Sequence, residues 1–245
     1  MEWIADPQIW ASLVTLAVME NVLGIDNIVF ISVLVSRLPQ SQSDSARKIG
    51  LALALVLRIL LLLVISWIIG LTAPLFSAFG VDFSWRDIIL IAGGAFLLVK
   101  GTLEIHAGIE GEHDDPGKKA AHPAYWSVIA QILVIDMVFS VDSIITAVGM
   151  AEHVEVMIAA VVISIGIMFV ASGPVAAFIK QHPTTKMLAL SFLLLIGVAL
   201  IADGLGFHIP RGYIYFAMAF SALVELLNIA ARRRRLRMAG SHTKH

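Results

Sequence analysis

Seven apolar stretches punctuate the chain, near residues 8–36, 50–72, 87–103, 124–149, 155–179, 185–202 and 212–231. Each reaches or approaches the roughly 20 residues that an α-helix needs to cross the hydrocarbon core of a bilayer. The pattern predicts an all-α polytopic membrane protein with seven transmembrane helices in a single transmembrane domain over residues 1–245. The first stretch is longer than one crossing needs, which predicts tilt, a break near Gly24 or an end outside the membrane. It follows an acidic start, MEWIADPQ, with no basic region, so it reads as a retained span and not as a cleaved signal peptide.

Composition strengthens this picture. Hydrophobic residues make up 59% and charged residues 14% of the 245 positions, against about 25% charged in soluble domains, and mean hydropathy is +0.90. A net charge of −1 points to no nucleic-acid partner. The absence of cysteine removes disulfides, iron–sulfur clusters and thiolate metal sites.

The charges also set an orientation. Placing the N-terminus outside leaves Arg37, Arg47, Lys48, Lys100, Lys118, Lys119, Lys180, Lys186, Arg232, Arg233, Arg234, Arg235, Arg237 and Lys244 on the cytoplasmic side. Only Arg86 and Arg211 remain outside. By the positive-inside rule the chain is expected to run N-out to C-in, with RRRRLR as a cytoplasmic anchor after the last span. The final residues, MAGSHTKH, are read as unstructured or partly derived from a vector.

Against this apolar background, four acids stand out. Glu20 and Asp26, followed by Asn27, lie in the first stretch; Asp136 and Asp142, followed by Ser143, repeat that spacing in the fourth. Each ionisable group costs roughly 2.5–3.5 kcal/mol at a membrane centre on insertion scales, so four cost on the order of 10 kcal/mol before pairing. Seven residues make almost two helical turns, so Glu20 shares a stripe with Asn27, and Asp136 with Ser143. Oxygen donors then sit at two depths, about 9–10 Å apart at 1.5 Å per residue.

The repetition predicts a three-plus-three repeat: residues 8–103, a cytoplasmic loop over 104–123, then 124–202, with an extra helix at 212–231 and a basic tail at 232–245. Thr15 and Gln131 stand five residues before the first acid of each copy, and Glu104 aligns with Asp203. Three spans per copy force the halves into opposite orientations, the inverted-repeat design of many secondary transporters. Inversion is expected to bring Asp26 level with Asp136, and Glu20 level with Asp142. Carboxylates, an amide and a hydroxyl suit hard cations such as Mg²⁺, Mn²⁺ or Ca²⁺. The bland alternative is a structural polar cluster; Arg58, the strong base inside the second stretch, can neutralise one acid but not four.

Other polar and small residues carry weaker signals. Glu110, Glu112, His113, Asp114 and Asp115 in the 104–122 loop could collect metal, but hydrated acidic loops are commoner. Glu225 and Asn228 share a helix face and suit either a proton route or packing. Gly93 and Gly94 suggest close helix approach. The histidines all fall in loops, span ends or the tail and indicate no buried imidazole site.

The segments ENVLGIDNIVFISVL and VIDMVFSVDSIITAVG resemble the two signature segments of the TerC family of integral membrane proteins. ARKIGLALALVLRI, KMLALSFLLLIG and GYIYFAMAFS resemble its short bacterial branch, so the likeness covers essentially the whole chain. That family was named for tellurium resistance, and its better-supported activity is manganese export. It is grouped with LysE-type exporters, which implies the repeat fold and a bacterial inner-membrane location. The resemblance implies metal handling by Glu20, Asp26, Asp136 and Asp142, with Asn27 and Ser143 beside them. Some relatives add cytoplasmic CBS domains, and regulation of that type is not expected here.

The expected function is therefore export of a divalent cation, with Mn²⁺ first among candidates, by alternating access. The cation is cargo and no cofactor is expected; protons are candidate coupling ions. Three alternatives stand beside it: an exporter of a small organic solute, a non-transporting metal-delivery scaffold, and an intramembrane aspartyl protease. The last lacks the G-x-G-D pattern such enzymes use, so the chain is not expected to be an enzyme.

Overall fold

The computed structural model describes residues 7–78, 81–109, 125–148 and 153–242. Its elements are α1 (Pro7–Val35), α2 (Gln40–Leu63), α3 (Ile65–Gly70), β1 (Pro74–Ala78), β2 (Val81–Ser84), α4 (Trp85–Ile109), α5 (Tyr125–Val148), α6 (Val154–Gln181), α7 (Pro183–Gly204) and α8 (Arg211–His242). Helix is what the apolar runs require: in lipid every backbone N–H and C=O needs an internal partner.

Among the described residues, six helices are long and apolar enough to cross a membrane: α1, α4, α5, α6, α7 and the Arg211–Ala231 part of α8. The expected second span differs. Helix α2 begins ten residues before residue 50 and carries Asp44, Arg47, Lys48 and Arg58, which take it out of the apolar class. It breaks at Val64 (φ −101°, ψ 27°) before the short α3. A β1–β2 hairpin that the sequence reading did not anticipate follows, with Phe76 paired to Phe83 and their rings stacked at 5.3 Å. Helix α1 is unbroken through Gly24, where a side chain would meet Met168 of α6.

Helix α8 also corrects an expectation. The start of MAGSHTKH is helical as far as His242, continuing a run of arginine, leucine, methionine and alanine that favours helix.

Three helix pairs carry the packing: α4 lies antiparallel on α7, whereas α1 on α6 and α2 on α5 run parallel. Helix α8 sits at the periphery against α7. Lipid offers no hydrophobic driving force between helices, so close backbone approach through small residues matters. A Cβ on Gly94 would lie 2.5 Å from the carbonyl oxygen of Gly197, and one on Gly93 would lie 2.5 Å from Val138. The glycines of α4 thus let it seat on α7 and α5 together. Leu16, Ile132, Leu90, Leu97 and Leu190 fill the interior. The outcome is a bundle in which α1 and α5, the two acid-bearing helices, lie inside and touch each other.

Candidate cation site

Glu20, Asp26 and Asn27 of α1, and Asp136, Asp142 and Ser143 of α5, are all buried, none more than 5% exposed. Helix pitch explains how one segment offers several inward groups: residues six and seven apart return to adjoining faces. What each acid meets is decided by the neighbouring helices.

Arg58 reaches in from α2. Its Nη1 lies 2.6 Å from Glu20 Oε2, its Nη2 lies 2.8 Å from Asp136 Oδ1, and its Nε donates to Asp136 at 3.2 and 3.4 Å. One guanidinium thus bridges acids from both copies of the motif, where the sequence reading allowed it one. Asp136 gains two further donors, Asn27 Nδ2 at 3.3 Å and Ser140 Oγ at 3.3 Å. Buried carboxylates need such partners, because an unpaired charge in a low-dielectric interior is costly.

Asp142 sits in a second cluster. Arg86, at the start of α4, and Arg211, at the start of α8, each bond one of its carboxylate oxygens. These are the two arginines that the charge count placed apart from all the others. Asp26 lines a cavity of about 20 Å³ with Asp203, Arg211, Tyr215, Ile196, Ala199, Leu200 and Ile214, room for one water-sized occupant. Its Oδ1 is buried without a hydrogen bond, and among the described residues it makes no ion pair.

The expected pairing is therefore corrected in one half. Asn27 does reach Asp136, which puts the end of the first motif beside the start of the second. Glu20 joins Asp136 through Arg58 and not Asp142, because the long arginine side chain spans the interval between them. Ser143 turns back to donate to the carbonyl of Ser140 at 3.3 Å. Among the described residues, no three Asp, Glu or His side chains converge closely enough to hold a metal ion; the arginines hold the acids in two groups.

Sequence reasoning missed Ser140, Arg86, Arg211, Asp203 and Tyr215. Ser140 was discoverable, since it stands one helical turn from Asp136. The others come from distant helix ends. Two polar cavities flank the acids. One of 390 Å³ lies between α1, α2 and α6, with Ser32, Ser36, Gln40, Ser43, Asp44 and Lys180 in its wall. The other, of 280 Å³, lies where α7 ends and α4 begins, lined by Asp82, Arg86, Asp87, Asp203 and His208 among others. Glu225 accepts from Thr184 and Thr185 of α7, which gives it a packing role. The acidic loop residues Glu110, Glu112, His113, Asp114 and Asp115 lie outside the described residues.

A helical bundle with buried carboxylate–arginine clusters between membrane-length helices defines a multi-pass membrane protein. Its family follows from comparison: the model described as "Integral membrane protein TerC family" matches residues 5–238, and the chain belongs to that family. A UPF0053 protein of Haemophilus influenzae is 54% identical over 232 residues, covering 95% of this chain and 98% of its own length. The UPF0053 inner membrane protein YoaE of Escherichia coli is 51% identical over 237 residues, 97% of this chain but 46% of YoaE. The UPF0053 inner membrane protein YgdQ of Escherichia coli is 49% identical over 227 residues, covering 93% of this chain and 95% of that protein. No solved structure matches. The chain is an inner-membrane, multi-pass protein.

Proposed function

We propose that the protein exports a divalent metal cation, Mn²⁺ first among candidates, from the cytoplasm by alternating access. Asp26 carries the proposal. Of the four motif carboxylates, Glu20 and Asp136 share Arg58, and Asp142 takes Arg86 and Arg211. Asp26 is the one of these four without an ion pair among the described residues, and it borders a cavity. An uncompensated carboxylate in a membrane interior is tolerable when a cation or a proton shares it. An all-oxygen donor set favours hard cations, and the family resemblance favours manganese. Protons that take the acids in turn give one way to expel the metal.

The architecture proposed with this function has seven spans, with α2 and α3 forming the second, N-out and C-in, and an inverted repeat of α1–α2–α4 with α5–α6–α7. The packing supports it. Exchanging the two halves turns α1-on-α6 into α5-on-α2 and maps α4-on-α7 onto itself. In this orientation the 390 Å³ cavity faces the cytoplasm and the 280 Å³ cavity faces outward.

The test is Mn²⁺ uptake into inverted membrane vesicles. Wild-type protein is expected to load them. Asp26→Asn combined with Asp142→Asn is expected to reduce loading to background. Equal uptake by both proteins would remove these acids from the transport path.

A further inference from the structure

We infer that Arg58 is a tethered cation occupying the Glu20–Asp136 part of the site, and that it selects divalent over monovalent ions there. The inference rests on the reading of these acids as cation ligands.

The geometry is specific. Arg58 is 3% exposed and stems from α2, yet both of its acidic partners belong to other helices, Glu20 on α1 and Asp136 on α5. Its guanidinium sits between the two carboxylates, where an ion bound by both would compete for the same oxygens. The outer arginines differ: Arg86 and Arg211 come from helix starts, and their side chains are 26% and 27% exposed. Arg58 alone of the three is enclosed with its acids.

Charge decides what can replace it. Glu20 and Asp136 contribute −2 and Arg58 contributes +1, so the trio carries −1. A monovalent ion that displaced the guanidinium would leave that balance unchanged after losing its own hydration. A divalent ion doubles the Coulombic attraction to both carboxylates. The tether also gives Arg58 a high effective concentration, which any free ion must overcome. Weak monovalent binders are excluded, and a divalent ion binds with reduced affinity, which suits a carrier that must release its cargo.

The experiment is calorimetric titration of Mn²⁺ into the detergent-purified full chain, comparing wild type, Arg58→Lys and Arg58→Met in sodium or choline chloride. Lysine keeps the charge but replaces a fork that serves two carboxylates with a point charge. Arg58→Lys is expected to bind Mn²⁺ several-fold more tightly than wild type, and Arg58→Met about tenfold more tightly or better. Sodium in place of choline is expected to weaken Mn²⁺ binding to Arg58→Met and to leave wild type unchanged. Should Arg58→Met not fold, the lysine variant carries the test by itself. Unchanged or weaker Mn²⁺ affinity in the variants overturns the inference, as does indifference of Arg58→Met to sodium. The two readings fail separately. Tighter binding in the variants with no Mn²⁺ flux in wild-type vesicles would remove export and keep the tether. Flux with unchanged affinities would remove the tether and keep export. No Mn²⁺ binding by any of the three overturns both.

Discussion

Asn27 on α1 donates its side-chain N–H to Asp136 on α5 at 3.3 Å, across 109 residues of chain. The amide that follows the second acid of the first motif thereby serves the first acid of the second motif. With Arg58 and Ser140 also donating, Asp136 is the most heavily bonded acid of the four.

That inequality predicts different costs for removing two superficially equivalent acids. Asp136→Asn takes the charge from under three Arg58 contacts and is expected to cost about 3–5 kcal/mol, the range for breaking a buried ion pair. Glu20→Gln leaves Arg58 anchored on Asp136 and is expected to cost about 1–3 kcal/mol. Reversible unfolding in mixed micelles measures both. A reversed order would show that Glu20 is the principal anchor of Arg58.

Asp26 behaves in the opposite way. Its charge has no ion pair to lose, so Asp26→Asn is expected to keep or raise thermal stability while removing Mn²⁺ flux. A thermal-shift series beside the vesicle assay separates the two effects. A loss of stability like that of Asp136→Asn would place Asp26 in a structural ion-pair network.

Arg86 and Arg211 share Asp142, one carboxylate oxygen each. Either arginine can stand in for the other as counter-ion, so Arg86→Gln and Arg211→Gln are expected to be mild singly and severe together. The double-mutant cycle is expected to give a coupling of about 1–3 kcal/mol. Additive effects within about 0.5 kcal/mol would show that the two arginines act independently.

The α4–α7 seam yields a stability test away from the charges. Gly94→Ala would set a methyl 2.5 Å from a backbone carbonyl oxygen, which cannot rotate away. A loss of roughly 3 kcal/mol or more is expected, at the severe end for single substitutions. Gly166→Ala in α6 has nothing within 4 Å of the new methyl. It is expected to be neutral, or to gain up to about 1 kcal/mol from helix propensity. Similar behaviour of the two variants would contradict this seam.

How much of this was legible in the chain depends on how local the physics is. Span length, apolar composition and the desolvation cost of an acid belong to short segments. They located α1, α4, α5, α6 and α7 within a few residues, and they singled out Glu20, Asp26, Asp136 and Asp142. The family likeness rested on the same segments. The Arg47, Lys48 and Arg58 charges made α2 less apolar than its neighbours, and the apolar residues of β1 and β2, among them Leu75, Phe76, Val81 and Phe83, fall in runs too short to stand out beside the spans. Which base meets which acid is a different kind of question. Arg58 lies 38 residues from Glu20 and 78 from Asp136, while Arg86 and Arg211 lie 56 and 69 residues from Asp142. An ion pair forms only within a few ångströms, and helix packing alone brings such distant residues that close. The sequence by itself therefore determined that charge is buried in the membrane and where along the helices it sits. The tertiary structure decided how that charge is divided, with Arg58 between two acids, two arginines on Asp142, and Asp26 paired with no base among the described residues.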